Sequence, residues 1–388
     1  MCIRDSDNTE MLHKTIARFN RENPEIKVVP TALPWDEFFS KWVVSAAAGN
    51  PPDVGLYHTS EIPQFAELGI LLPLEDLQKK VGISWEGIPQ TSRELCTYKG
   101  TLYAIPVDVH PIALYYHRDL AERAGLDVNS PPSTRTELLT WAKKLTIEGA
   151  DGKIEQYGIA MPGTGAGPRW VWFSWLYQNG GRFLNEEGKA AVNSKESAEA
   201  LQLLIDLVNK YKVAPPGETD ATKDFSTKMV AMEFTGPWCV NMFLRRELDF
   251  MTTPMPVVFD KPAVWVNSHV LSLSKTGNKA RQLAGMKFIK WFAENMLEPA
   301  LFVGVVPISS KVRKEFIKHE RYKYYKAFVE ELDYLVYEPQ LPEYSEIFSF
   351  GKPTPLNSNI EAAFLGKKSV EEALNDMAKG IDEILERH

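Results

Sequence analysis

The chain has 388 residues, of which 44% are hydrophobic and 24% are charged, which is typical of a globular protein long enough for two domains. Its formal net charge of −7 argues against nucleic-acid binding, which needs clustered Lys and Arg. No apolar run approaches the ~18 residues of a membrane span. The cysteines form no metal or disulfide motif. We expect Cys96 and Cys239 to be buried free thiols, with a single bridge between them as the alternative.

The first residues differ in pattern from the segments that follow. Residues 1–6, MCIRDS, show neither apolar alternation nor an export signal. We expect them to be a non-native, poorly packed start that leaves a sheet short of one strand. The spacing then predicts an amphipathic helix over Thr9–Glu22 and a strand over Ile26–Val29. A second helix is predicted over Asp36–Ala48 and a second strand over Val54–Tyr57.

The segment Tyr98–Leu126 contains two apolar strands with polar residues between them. The strands are predicted over Leu102–Pro106 and Ile112–His117, with a loop over Val107–Pro111. This pattern suits a chain that leaves one sheet and enters another. Because strands and helices alternate along the chain, we expect parallel sheets built from βαβ units.

Two further crossings between sheets are predicted later in the chain. Val257–Asn267 is expected to return the chain to the first sheet, where Lys279–Glu294 forms a long helix. A third crossing is expected near Pro307, and Ser369–Leu385 has the apolar spacing of a final helix. Such discontinuous lobes suit hinge closure. The predicted first lobe comprises residues 1–108 and 264–307, and the second comprises residues 112–260 and 311–388.

Several segments match one known pattern in their order and spacing. They are Asn50–Val54 (NPPDV), Phe65–Leu77, Tyr98–Leu126, Leu176–Phe183, Glu199–Pro216, Met229–Trp238 (MVAMEFTGPW) and Val306–Ile308. Together they resemble the family 1 extracellular solute-binding proteins of ABC importers, the maltose-binding-protein-like group. One departure is Thr227, where that family usually has Gly before Lys.

The resemblance implies both a fold and a function. The fold would be α/β, a two-lobed periplasmic-binding-protein fold with discontinuous lobes and three hinge crossovers. The function would be to bind a sugar or oligosaccharide and deliver it to the permease subunits of an ABC transporter. The resemblance also implies a monomer without enzymatic activity or cofactor, located in the periplasm or lipid-anchored at the cell surface.

The aromatic side chains of the predicted site are tryptophans. Of the ten in the chain, several lie beside predicted loops near strand ends, where α/β folds bind ligands. An indole packs well against the flat C–H face of a sugar ring. The resemblance places Trp238 in the ligand cleft. Trp170 and Trp172 are predicted to be further contacts, whereas Trp175 should face the core.

Polar partners for sugar hydroxyls are predicted on the first lobe. Asp108 is the main candidate because a carboxylate accepts two hydroxyl hydrogen bonds, and a loop cap is its alternative role. For Trp35 the alternative is packing beside an N-cap formed by Asp36. Tyr344 is predicted to lie in a late loop of the second lobe. The remaining candidates are Tyr57, His58, His110 and His269.

Two other classes of function stay open at this point. A transition-metal receptor is possible because four histidines lie near the predicted loops, although no HxH or HxxxH spacing supports it. A glycoside hydrolase would share the aromatic cleft and needs two opposed carboxylates ~5–9.5 Å apart. Gly163–Pro168 lacks the Lys of a phosphate loop, and no GxSxG or HExxH occurs, which favours a receptor. The four histidines are His58, His110, His117 and His269.

Overall fold

A computed structural model describes residues 6–32, 35–217, 220–349 and 353–387. The strands are β1 Val54–His58, β2 Thr97–Tyr98, β3 Thr101–Leu102, β4 Ala104–Pro106, β5 Asp108–Pro111, β6 Ala113–His117, β7 Ile147–Glu148, β8 Ile154–Gln156, β9 Met232–Thr235, β10 Phe250–Thr253, β11 Val264–Asn267, β12 His269–Leu273, β13 Val306–Pro307 and β14 Leu335–Tyr337. The helices are α1 Ser6–Glu22, α2 Trp35–Ala47, α3 Ile62–Glu67, α4 Glu75–Val81, α5 Gln90–Leu95, α6 Arg118–Arg123, α7 Arg135–Leu145, α8 Gly167–Gln178, α9 Lys195–Asn209, α10 Ala221–Ser226, α11 Val240–Arg245, α12 Lys279–Glu294, α13 Leu297–Val303, α14 Ser310–Phe316, α15 Lys326–Glu330, α16 Tyr344–Phe348, α17 Pro355–Phe364 and α18 Val370–Leu385. Within these ranges, no helix has both the length and the apolar character that crossing a membrane requires.

The chain folds as two compact units, and each unit is assembled from separated segments. The prediction of an α/β chain with two discontinuous parts is confirmed. The first unit comprises the residues up to His110 together with Asn267–Tyr322 and Gln340–Tyr344. The second unit comprises Pro111–Val266, Lys323–Pro339 and the residues from Ser345 onward.

The third crossing lies later in the chain than predicted, because the chain stays in the first unit from Asn267 to Tyr322. The Arg313 guanidinium donates hydrogen bonds to the carbonyl oxygens of Pro307 and Ile308 at 2.9 and 3.0 Å. The backbone N–H of Ser310 donates to the carbonyl of Gly87 at 2.8 Å. These bonds tie α14 to the first unit. Residues 311–322, which were predicted in the second lobe, therefore belong to the first unit.

The central sheet of the first unit has the order β1-β12-β4, and β12 runs antiparallel to both neighbours. The prediction of a parallel sheet is therefore wrong for these strands. Part of the βαβ expectation holds, because β1 and β4 run in the same direction, although β12 separates them. The strand between them, β12, comes from a distant part of the sequence and enters the sheet in the opposite direction.

Three other predictions concern the beginning of the chain. Ile26–Val29 is not a strand; instead the Asn20 side chain binds the backbone of Val28 through both its oxygen and its nitrogen, at 2.8 and 2.9 Å. Helix α1 is amphipathic as predicted, and the ring centroid of Phe19 lies 5.0 Å from that of Phe288 on α12. Residues 1–6 were expected to be a non-native, poorly packed start, but of these only Ser6 lies within the described part of the chain.

The second unit is built on a sheet of order β10-β6-β9, in which β6 is antiparallel to both neighbours. Tyr115 and Tyr116 point to opposite faces of β6, as successive strand residues must. The hydroxyl of Tyr115 donates to the carbonyl of Gly236 at 2.8 Å within the core. Cys239 of this unit and Cys96 of the first are buried free thiols, as predicted, and burial raises the pKa of both.

Candidate functional site

Three histidines and one aspartate meet in the first unit and are named here the histidine cluster: His58, His110, His269 and Asp108. The β1–β12 ladder places His58 directly opposite His269. Asp108 and His110 are two residues apart on β5, so their side chains share one face. The His269 ring centroid lies 5.1 Å from that of His58 and 4.3 Å from that of His110. Three strands thus converge on one group of rings.

Asp108 joins two of the three imidazoles. Its Oδ1 lies 3.0 Å from His110 Nδ1, and its Oδ2 lies 2.8 Å from His269 Nδ1. Oδ1 also accepts the backbone N–H of His269 at 3.0 Å. A carboxylate can only accept, so Nδ1 carries the proton in both rings. Asp108 is only 1% exposed, and both of its carboxylate oxygens position the two rings. Its direct contact with sugar hydroxyls stays a prediction.

The protonation states in the histidine cluster follow from burial and mutual contact. Burial alone would raise the pKa of Asp108, but its interactions with His269 and His110 hold that pKa well below the usual range. Burial, reinforced by His269, lowers the pKa of His110 to about 4. Burial, followed by His269 and His110, also lowers the pKa of His58 well below its usual value. At neutral pH the cluster therefore pairs an ionised carboxylate with the neutral rings of His58 and His110.

A second candidate group lies in the second unit and is named here the aromatic cluster: Trp170, Trp238 and Trp265. Trp170 and Trp265 are stacked, with ring centroids 4.7 Å apart and planes 26° from parallel. Trp238 meets Trp170 edge to face, with centroids 5.4 Å apart and an interplanar angle of 68°. Trp265 is buried, whereas Trp170 and Trp238 are half-buried. The cluster thus offers two partly exposed indoles in contact with each other, one of which is stacked on the buried Trp265.

Buried polar groups hold Trp265 in place. Its indole N–H donates to Glu338 Oε1 at 2.9 Å, and its backbone N–H donates to Ser174 Oγ at 2.8 Å. Ser174 Oγ in turn donates to the carbonyl of Trp170 at 2.7 Å. Glu338 Oε1 also lies 3.5 Å from Arg169 Nη2, and the side chains of both residues in this ion pair are buried. The indole of Trp265 is therefore a fixed base for the ring of Trp170, which in turn contacts Trp238.

The sequence analysis did not identify Arg169 and Glu338 as part of this site. A signal for Arg169 was present, because it is a single charged residue at the start of the apolar helix α8. Glu338 had no local signal, since it reaches the cluster only through the tertiary fold.

Trp172 does not join the aromatic cluster, although it was predicted to do so. It is fully buried, and its indole N–H donates to the carbonyl of Ser197 at 3.4 Å. Residues two apart on a helix point to opposite sides, so Trp172 on α8 cannot share the face of Trp170. It is a core residue, as is Trp175.

Three other predicted site residues lie apart from both clusters or outside the description. Tyr57 is fully buried, with its ring 4.8 Å from Phe65, because it alternates with His58 on β1 and points to the opposite face. Tyr344 is buried at the start of α16 and belongs to the first unit, not to the predicted second lobe. The side chain of Trp35 lies outside the described part of the chain.

Comparison with known proteins identifies the family. The model of the bacterial extracellular solute-binding protein family matches residues 6–296. The maltotriose-binding protein of Pyrococcus abyssi is 25% identical over 379 residues, which cover 91% of this chain and 76% of that protein.

Solved structures support the same fold. An ABC substrate-binding protein from Listeria monocytogenes, in complex with cycloalternan, has a TM-score of 0.85 and 23% identity, and the match covers 98% of this chain and 97% of that one. An ABC transporter solute-binding protein from Thermotoga lettingae, bound with alpha-D-tagatose, has a TM-score of 0.80 and 26% identity, covering 97% and 96%. The resemblance seen in the sequence is thus confirmed: the chain belongs to the bacterial extracellular solute-binding protein family.

Proposed function

We propose that this protein is the receptor of a carbohydrate ABC importer and that its ligand is a sugar or oligosaccharide. The relatives support the class of ligand, since they are named for maltotriose or were solved with cycloalternan or tagatose. The observation on this chain that carries the proposal is the aromatic cluster, with two half-buried indoles supported by a third that is buried.

The aromatic cluster suits the C–H face of a sugar ring. Leaving large indole surfaces partly in water forgoes the free energy of burying them, and a ligand that covers them recovers it. Because Trp265 is held by Glu338 and Ser174 and Trp170 stacks on it, Trp170 has less side-chain entropy to lose when a ligand packs against it. A flat apolar face is therefore the part of the ligand that we assign to Trp170 and Trp238.

The hydroxyl groups of the ligand need hydrogen-bonding partners at the edge of the ring. We assign this role to His58, His110 and His269, as predicted from the sequence. In the neutral His110 ring the proton is on Nδ1, so Nε2 carries the lone pair that a hydroxyl can donate to.

Transport requires capture and release of an unchanged solute, and we propose no chemistry at the site. Binding would shift a closing equilibrium of the two units by the difference in affinity between their open and closed arrangements. The proposed partners are the permease subunits of an ABC transporter. The proposed location is the periplasm or the outer face of the cell membrane.

A thermal-shift screen against mono- and oligosaccharides, followed by calorimetry, tests this proposal. We expect at least one sugar to raise the melting temperature, and chromatography to recover that sugar unchanged. Trp238→Ala should weaken its binding by about 1–3 kcal/mol, the scale of one buried large side chain. The control is Trp85→Ala, which changes another half-buried tryptophan in the first unit. Wild-type affinity in Trp238→Ala would refute the site, and a hydrolysed sugar would indicate a glycosidase.

A further inference from the structure

We propose that the histidine cluster binds one divalent first-row transition-metal ion, with His58, His110 and His269 as its ligands. Each ring offers one nitrogen, and these three nitrogens lie within 4.8 Å of one another. The side chains are 7%, 3% and 8% exposed, so the donors converge in a shielded place and not on an open surface. The proposal does not depend on the sugar-binding function proposed above, and an ion on His110 Nε2 would take the lone pair that was assigned there to a sugar hydroxyl.

The donor set favours a particular class of ion. Imidazole nitrogen suits zinc, copper, iron and nickel, whereas calcium and magnesium prefer oxygen. Three histidines with one open position form a common tetrahedral zinc arrangement, with Zn–N distances of ~2.0–2.1 Å. That geometry puts the nitrogens ~3.3 Å apart. Ion binding would therefore draw the rings of the histidine cluster inward through rotation of their side chains.

Asp108 is a hydrogen-bond acceptor of the kind that a metal-binding histidine usually has at its second ring nitrogen. Such a ring typically donates its second N–H to a carboxylate, which sets the tautomer and makes the coordinating nitrogen more basic. Asp108 accepts from Nδ1 of both His110 and His269, at 3.0 and 2.8 Å, and we assign Nε2 of each ring as the coordinating atom. Its negative charge would also offset the charge of a buried ion. Asp108 is therefore a positioning residue and not a ligand.

His58 completes the set from the opposite strand. The ladder register places it across from His269, so its position depends on backbone pairing and not on a flexible loop. The Glu61 carboxylate accepts the backbone N–H of His58 at 2.8 Å and lies 3.8 Å from its Nδ1. The Glu61 carboxylate is thus farther from the His58 ring than the Asp108 carboxylate is from the rings of His110 and His269.

Metal titration of the full chain, after dialysis against a chelator and without sugar, tests the proposal. Calorimetry should show one Zn²⁺ bound per chain, and Co²⁺ should give the visible absorption of a tetrahedral nitrogen site. His110→Gln and His269→Gln should each lower Zn²⁺ affinity at least 100-fold. Asp108→Asn should lower it ~10–100-fold and alter the Co²⁺ spectrum while keeping one ion per chain. The control is His13→Gln, an exposed histidine on α1 that should leave binding unchanged.

Several outcomes would overturn the proposal. Absence of stoichiometric Zn²⁺ binding would do so, as would equal affinity in wild type, His110→Gln and His269→Gln. Far-UV circular dichroism in chelator identifies variants that fail to fold. X-ray absorption of the zinc-loaded wild type needs no variant: scattering from imidazole rings is expected, and a zinc shell without it would refute the site.

Discussion

Replacing Glu338 with Gln would test how far the aromatic cluster depends on one buried ion pair. Glu338 and Arg169 are 1% and 0% exposed, and their closest charged atoms are 3.5 Å apart. At an effective dielectric constant of about 20, unit charges at that distance attract by about 5 kcal/mol. Removing one partner of a buried pair typically costs about 3–5 kcal/mol. We expect Glu338→Gln to lower the free energy of unfolding by about 3–5 kcal/mol, because the Arg169 charge remains buried.

Glutamine is the informative replacement, because it removes the charge but keeps an oxygen that can accept the indole N–H of Trp265. The matched control is Arg118→Gln, which breaks the ion pair with Asp249. That pair has an N–O distance of 3.3 Å and side chains 48% and 49% exposed. Solvent screens exposed pairs, so the control should lose at most about 1 kcal/mol.

Urea unfolding measures both changes. It should be followed by circular dichroism and by tryptophan fluorescence, because coincident curves are needed for a two-state analysis. The double change Arg169→Met with Glu338→Leu should recover much of the loss, since apolar groups of similar size often replace a buried pair without cost. The reasoning fails if Glu338→Gln loses no more stability than Arg118→Gln.

Two further predictions concern His117 and Gly158 of the second unit. Nε2 of the buried His117 donates to the carbonyl of Phe225 at 2.8 Å, and burial lowers the pKa of His117 from 6.5 to about 4. As the pH drops, His117 therefore becomes protonated in the unfolded state before it does in the folded state. The free energy of unfolding should fall by about 3 kcal/mol between pH ~6.5 and ~4. His117→Gln should reduce that loss in urea unfolding at several pH values, and an unchanged acid loss would contradict the argument. Gly158→Ala should cost about 3 kcal/mol, because the added Cβ would lie 1.9 Å from the carbonyl oxygen of Ala142. Gly277→Ala is its control, since no atom lies within 4 Å of that Cβ, and equal melting temperatures for the two variants would refute the clash.

The two candidate clusters differed in how far local sequence could predict them. Trp170 was identified because it lies beside a predicted loop near a strand end, and Trp238 because the family resemblance places it in the ligand cleft. Trp172 was assigned to the same group, yet helical geometry separates it from Trp170 by about half a turn. The histidines were identified as residues near strand ends, but no local pattern predicted that Asp108 would hold two of them. Its burial and its two imidazole partners depend on strands that are distant in the sequence.

By itself, the sequence determined what depends on local pattern and on the order of segments. The amphipathic spacing of α1 and α18, the apolar strands around Asp108 and the ordered family segments were enough for an α/β fold and its family. Only the tertiary structure decided which strands are neighbours. Inserting β12 between β1 and β4 made the sheet antiparallel and put His269 opposite His58. Strand pairing joins backbone groups irrespective of their separation along the chain, so periodicity within a segment carries no information about its partner.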